Sequence, residues 1–128
     1  MILKLPWPPS ANHYWRHTNI GGHYISKQGK DYRMLVLIAA RKAGVRTPNL
    51  DRLRVEITAT MPDARRRDLD NLLKSLLDAM QHAGCYHDDE QIDELVIRRG
   101  SRKKPGGVVV EIESLMGMSH REAMGEDV

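Results

Sequence analysis

Three arginines run directly into an acidic pair in the segment Asp63-Ala64-Arg65-Arg66-Arg67-Asp68-Leu69-Asp70-Asn71-Leu72-Leu73-Lys74. Asp68 and Asp70 flank Leu69, and Lys74 follows Asp70 by one helical turn, close enough to meet it. A second acidic pair, Asp88 and Asp89, stands further along the chain. Carboxylate oxygens suit a hard divalent ion such as Mg²⁺. Acids beside a basic patch suit metal-assisted phosphodiester cleavage, in which the metal activates a water and steadies the charge growing on the phosphate. Lys74 would add positive charge at the transition state or near the leaving oxygen. For Asp88 and Asp89 to approach Asp68 and Asp70, either the next strand must bring their turn back or a second subunit must supply it.

The same residues also have an ordinary structural reading. Asp68 is a good helix N-cap, Asp70 favours the positive end of the helix dipole, and Asp70 with Lys74 is a common i, i+4 ion pair. Asp88-Asp89-Glu90 reads equally as a solvated turn, and residues 65–67 as a solvated loop. A calcium EF-hand is excluded, because Leu72 and Leu73 occupy positions that need a ligand and a glycine. Arg98, Arg99, Arg102, Lys103 and Lys104 place five positive charges in seven residues, in what reads as a hairpin connection; it is either a solvated turn or a phosphate-tracking loop. His13 and His17 lie in a proline-led loop without a neighbouring Glu base, which disfavours zinc. Cys85, beside His87, reads as a small packed residue with nothing to lower its pKa. Serine-hydrolase and phosphate-binding glycine motifs are absent, so no nucleotide cofactor is expected. Trp7 is expected to pack, while Tyr14 and Trp15 either stack on bases or pack over a sheet.

Positioning these groups requires regular elements, and the hydrophobic periods supply them. Ile2 to Leu5 is a short strand ended by Pro6, Pro8 and Pro9. Residues 10–24 read as an irregular polar loop, with Gly21-Gly22 permitting a reversal. Tyr32, Leu35, Val36, Ala39, Ala40 and Ala43 form one helical stripe, from an N-cap at Ser26 to a stop at Gly44. Met34, Leu37 and Ile38 widen that stripe, which predicts burial on more than one side. Leu53, Val55, Ile57, Ala59 and Met61 alternate as a half-buried strand. Leu69, Leu72, Leu73, Leu76, Leu77 and Met80 predict a second helix closed by Gly84. Two more strands follow, over residues 91–99 and 107–113. The order β-loop-α-β-α-β-β predicts an α+β domain, a mixed sheet of three to four strands with two main amphipathic helices packed on it.

Composition bounds the rest. At 128 residues and 41% hydrophobic content, the chain fits one compact domain, read as residues 1–115, with 116–128 as a flexible C-terminal tail lacking periodicity. One cysteine permits no internal disulfide and fits a reducing compartment. No apolar run approaches the roughly 18 residues of a membrane span, and the opening lacks the order of a signal peptide, so a cytoplasmic protein without membrane partners is expected. The formal charge of +3 hides an asymmetry. Residues 1–110 hold 19 of the 20 Lys and Arg but 12 of the 17 Asp and Glu, a net of +7, whereas the last 18 residues carry −4. A basic body favours a polyanionic partner through counterion release.

The segment around Asp68 and Asp70, the opening Leu5-Pro6-Trp7-Pro8-Pro9-Ser10-Ala11-Asn12, and the later Asp88-Asp89 together resemble the RusA family of Holliday junction resolvases, in order across residues 2–113. The resemblance implies a bacterial or prophage-encoded endodeoxyribonuclease that uses Mg²⁺, with Mn²⁺ as a substitute. It implies a homodimer resolving four-way DNA junctions in recombination and repair. It carries the catalytic acids onto Asp68, Asp70 and Asp89 and the catalytic lysine onto Lys74, with Asp88 an accompanying metal-binding acid. Asn71 and Asn12 are expected to support the site. DNA contact is expected from Arg65, Arg66, Arg67, Arg98, Arg99, Arg102, Lys103 and Lys104. A C2 dimer would cut two strands of like polarity symmetrically, and the first long helix is the expected interface. Two rival readings are a non-catalytic basic nucleic-acid-binding module and a nuclease without junction selectivity.

Overall fold

The computed structural model describes residues 1–115; the expected C-terminal tail, 116–128, lies outside the described residues. Four strands form one mixed sheet in the order β1-β6-β4-β5. β1 (Ile2–Leu5) and β4 (Leu53–Met61) both pair antiparallel with β6 (Gly107–Ser114), and β5 (Ile92–Arg102) runs parallel to β4 at the edge. Alternation decides the faces. In β4 the odd-numbered residues from Leu53 to Met61 are buried, and Val108, Val110 and Ile112 of β6 join them in one core. The opposite face carries Arg54, Glu56, Thr58, Glu94 and Arg98, knitted by Arg54–Glu56, Arg54–Glu94 and Glu56–Arg98 pairs.

Two helices cover the apolar face and pack on each other. α2 (Lys27–Lys42) begins where the Ser26 hydroxyl accepts from Gly29 N at 3.0 Å and donates to the Tyr14 carbonyl at 2.9 Å. It ends at Gly44, whose φ of +95° lets Val45 N donate back to the Ala40 carbonyl. Tyr32, Val36 and Ala40 are buried, but Met34, Leu35 and Ile38 are 55%, 49% and 46% exposed. The expectation that this helix is buried on several sides is therefore wrong for the single chain. The widened stripe of nine apolar positions is broader than the contact one sheet face and one neighbouring helix provide.

Three further expectations change. Residues 10–24 are not irregular: a short helix α1 (Ala11–Tyr14) leads into a hairpin of β2 (Trp15–His17) and β3 (His23–Ile25). The second helix is also not continuous. A 3₁₀ turn (Leu69–Leu72) precedes α3 (Leu73–His82), so the acidic segment lies on the tighter turn. Finally, β5 and β6 are not a hairpin, since β4 separates them in the sheet. The basic stretch ending in Arg102, Lys103 and Lys104 is a crossing connection.

Candidate active site

The parallel β4–β5 pair fixes the site's geography. The chain leaves the carboxyl end of β4, passes the acidic segment, runs back along α3, and enters β5 beside the start of β4 at the Leu53–Ile92 register. Asp68 and Asp70 thus lie at one end of α3 and Asp89 at the other, and the helix between them has ten residues. At 1.5 Å per residue that separates the two acidic groups by about 15 Å along the axis. Among the described residues no three His, Cys, Asp or Glu side chains come together as a metal-binding group.

The loop entering the site is organised by Asp63. Its carboxylate accepts the Arg65 backbone N–H at 3.0 Å, an Asx-type turn, and pairs with the Arg67 guanidinium at 2.9 Å and with Arg65 at 3.2 Å. The backbone donor first, then the two arginines, hold the Asp63 carboxyl down at about 2. Arg67 is half-buried, its guanidinium 5.6 Å from the centre of the Trp7 ring and its carbonyl accepting from Arg99 at 3.0 Å. Of the three expected phosphate-gripping arginines, Arg65 and Arg67 are committed to Asp63. Arg66 is exposed and, among the described residues, forms no ion pair.

The ordinary structural readings fail for two acids and hold for a third. Asp68 stands at the N-cap position of the 3₁₀ turn, yet its side chain makes no capping bond. Asp70 and Lys74, both exposed, form no ion pair, because the 3₁₀ turn breaks the i, i+4 register of a continuous α-helix. Asp88, by contrast, is a cap: it accepts from Glu90 N at 3.0 Å, and the Gln91 side chain accepts from Asp88 N in return. Asp89 is exposed, and its backbone N–H donates to Gln81 at 3.2 Å. Its carboxyl is pushed up, chiefly by desolvation, then by the neighbouring carboxylates Asp88 and Asp78.

Lys74 and Asp89 share a depression with Trp15, Leu77, Asp78 and Gln81, and on its other side Lys74 faces Asn12, Trp15, His17 and His23. Asp68 and Asn71 line a different cleft, against the proline segment. The second basic stretch is split by strand alternation. Arg98 is on the open sheet face, paired with Glu56, while Arg99 turns toward Arg67; Arg102, Lys103 and Lys104 are exposed near the end of β4.

The sequence reading missed Asp78 as a tethered group. Its carboxylate accepts from Tyr14 at 2.5 Å and from Arg33 at 2.8 Å, tying α1, α2 and α3 together. No local pattern links residues so distant, although the Pro62-Asp63 start of the loop does carry a turn signal. Tyr14 is fully buried and Trp7 packs against the core, which settles Tyr14 as a packing residue and bears out Trp7. Cys85 is buried, and burial pushes its thiol up to about 11, as suits a packed residue.

Comparison with known proteins decides the family. The sequence matches the family described as endodeoxyribonuclease RusA over residues 6–113. The chain belongs to the RusA family. It is 45% identical over 115 residues to the crossover junction endodeoxyribonuclease of Enterobacteria phage HK97, covering 87% of this chain and 94% of that protein. The protein of the same name from Shigella sonnei (strain Ss046) is 43% identical over 90 residues, and that of Escherichia coli (strain K12) 42%; in each case the match spans 70% of this chain and 74% of the relative. RusA membership places the chain among endodeoxyribonucleases, enzymes that hydrolyse phosphodiester bonds within DNA, as the acid-and-arginine pattern implies. Among the described residues no helix is long and apolar enough to cross a membrane.

Proposed function

We propose that this RusA-family chain resolves four-way DNA junctions by paired, symmetric cleavage in DNA recombination and repair, in a reaction that uses Mg²⁺ or, as a substitute, Mn²⁺. The observation that carries the reading is the acidic turn at Asp68 and Asp70, which among the described residues is uncapped and unpaired, set between Arg66 and Lys74. An acid kept out of capping and ion pairing, beside uncommitted positive charge, is available to a ligand.

The donor chemistry fits the ion. Mg²⁺ takes oxygen ligands and is held by one or two carboxylates with waters and substrate phosphate, so an all-protein cage is not required. Asp68 and Asp70 would hold it, and when bound it supplies activation of the attacking water and charge stabilisation at the phosphate. Lys74, at the start of α3, would stabilise the leaving oxygen, and Arg66 would hold the adjoining phosphate. Asp88 keeps the turn bearing Asp89 in shape.

Because α3 separates Asp89 from Asp68 and Asp70, a single chain does not assemble the set. A homodimer in which Asp89 of the partner subunit approaches the Asp68–Asp70 turn completes it and supplies two equivalent sites for symmetric cuts. The exposed apolar stripe Met34, Leu35 and Ile38 on α2 is the surface offered for pairing.

The test is digestion of a synthetic four-way junction, a duplex and a flap, with and without Mg²⁺, by the parent and by Asp70→Asn. Junction-only, metal-dependent cutting that Asp70→Asn abolishes is the expected result. Equal cutting of all three substrates would remove junction selectivity from the reading, and binding without cutting under any metal would leave only a binding module.

A further inference from the structure

Asp68 and Arg66 stand on the rim of a cleft of about 360 Å³ whose interior the mechanism above does not use. One wall is the segment Trp7, Pro8 and Pro9, the floor includes Leu72, and the rim carries Ser10, Gln28, Arg66, Asp68 and Asn71. Its walls are fixed before any ligand arrives. Tyr32 donates to the Pro6 carbonyl at 2.8 Å and Ser75 to the Pro9 carbonyl at 2.5 Å, so the proline segment is clamped to both long helices. Prolines also lack the conformational freedom to collapse inward. On the far side Arg67 is held between Asp63 and the Trp7 ring. Its Nε is the only buried side-chain polar atom without a partner among the described residues.

A preformed recess with apolar walls and a rim of amide, hydroxyl, imidazole, guanidinium and carboxylate groups has the chemistry that reads a flat heterocycle by contact and edge hydrogen bonds. Double-stranded DNA cannot present a base in this way, but at a branch point stacking is interrupted and extrusion of a base is least costly. Resting on the junction-cleavage reading, we propose that this cleft is a nucleobase pocket that takes an unstacked base next to the phosphate cut at Asp68, with Gln28 and Asn71 on the base edge. The pocket would thereby couple cutting to the branched substrate, since an intact duplex keeps its bases stacked.

Gln28 is exposed on α2 and outside both the core and the acidic set, so Gln28→Trp plugs the cleft without disturbing the fold. The experiment measures single-turnover cutting of intact junctions, and of junctions with one abasic nucleotide placed in turn at each position around the cut, by the full-length parent, Gln28→Trp and Gln28→Ala. Gln28→Trp is expected to cut the intact junction at least tenfold more slowly than the parent. At one abasic position the parent and Gln28→Trp are expected to converge to within twofold, because no base remains to be housed. Gln28→Ala should fall between them on the intact junction. Parental rates for Gln28→Trp on the intact junction, or a slowing that no abasic position relieves, would overturn the pocket. Failure of the parent to cut any junction would instead overturn the underlying activity, which keeps the two outcomes apart.

Discussion

The phenol of Tyr14 donates a 2.5 Å hydrogen bond to Oδ2 of Asp78, 64 residues further along the chain, and Arg33 closes the triangle from α2. This contact pins the helix that carries Lys74 to the start of the hairpin that faces it. Asp78→Ala leaves the Arg33 charge and the Tyr14 hydroxyl without their partner in a partly buried place. The expected loss is about 2 kcal/mol in urea unfolding, against about 1 kcal/mol for Tyr14→Phe, which removes the phenol's bonds to Asp78 and from Arg33 and leaves the ion pair. Equal losses for the two variants would show that the charge pair is not the main element.

Separation of the acids by α3 makes a complementation result the sharpest check on shared sites. Asp70→Asn and Asp89→Asn homodimers should each be inactive. When mixed and allowed to exchange subunits, they should regain nicking from the one site that pairs an intact Asp70 with an intact Asp89. No recovery, with exchange verified by differently tagged subunits, would place all the acids in one chain.

Asp89 also sets a pH dependence. Its carboxyl is raised by desolvation, Asp88 and Asp78, so the ionised form that a metal needs is lost while the pH is still above the ordinary aspartate range. Asp88→Asn removes one like charge and should move the acid limb of the pH–rate profile to lower pH. For stability the sign is reversed: a raised carboxyl favours the fold at low pH, and that contribution is lost as pH rises through the raised value. Asp63, held down at about 2, acts oppositely, and its contribution is lost only as pH falls through that value. An acid limb that Asp88→Asn does not move would remove Asp89 from the rate-controlling ionisation.

The arginines should not be equivalent toward DNA. Arg66 is exposed while Arg67 is committed to Asp63 and Trp7. Arg66→Ala should lower the slope of log affinity against log salt by about 0.9, the signature of one lost phosphate contact. Arg67→Ala should leave the slope nearly intact but lower the urea midpoint, because it strips Asp63 and the Trp7 ring of a packed partner. A slope change confined to Arg67→Ala would reverse these roles.

Features that depend on near neighbours are readable along the chain. Alternation from Leu53 to Met61, the stripe from Tyr32 to Ala40, and the stop at Gly44 were legible because strand and helix periods and a positive-φ glycine act within a few residues. So were the α+β class and the family, the latter from the ordered motifs at Leu5–Asn12, Asp68–Lys74 and Asp88–Asp89. Features that arise between distant segments depend on how the chain packs. The parallel pairing of β4 with β5 puts Asp89 and Asp70 at opposite ends of α3, and only the register of the sheet fixes that distance. The 3₁₀ turn, which frees Asp68 from capping and Asp70 from Lys74, overrode a helical period that continues unbroken through Leu69, Leu72 and Leu73. The Tyr14–Asp78–Arg33 triangle was likewise invisible, since contacts across 64 residues leave no spacing to read. The acidic chemistry was written locally, whereas which acids can reach one phosphate was set by how the strands pair.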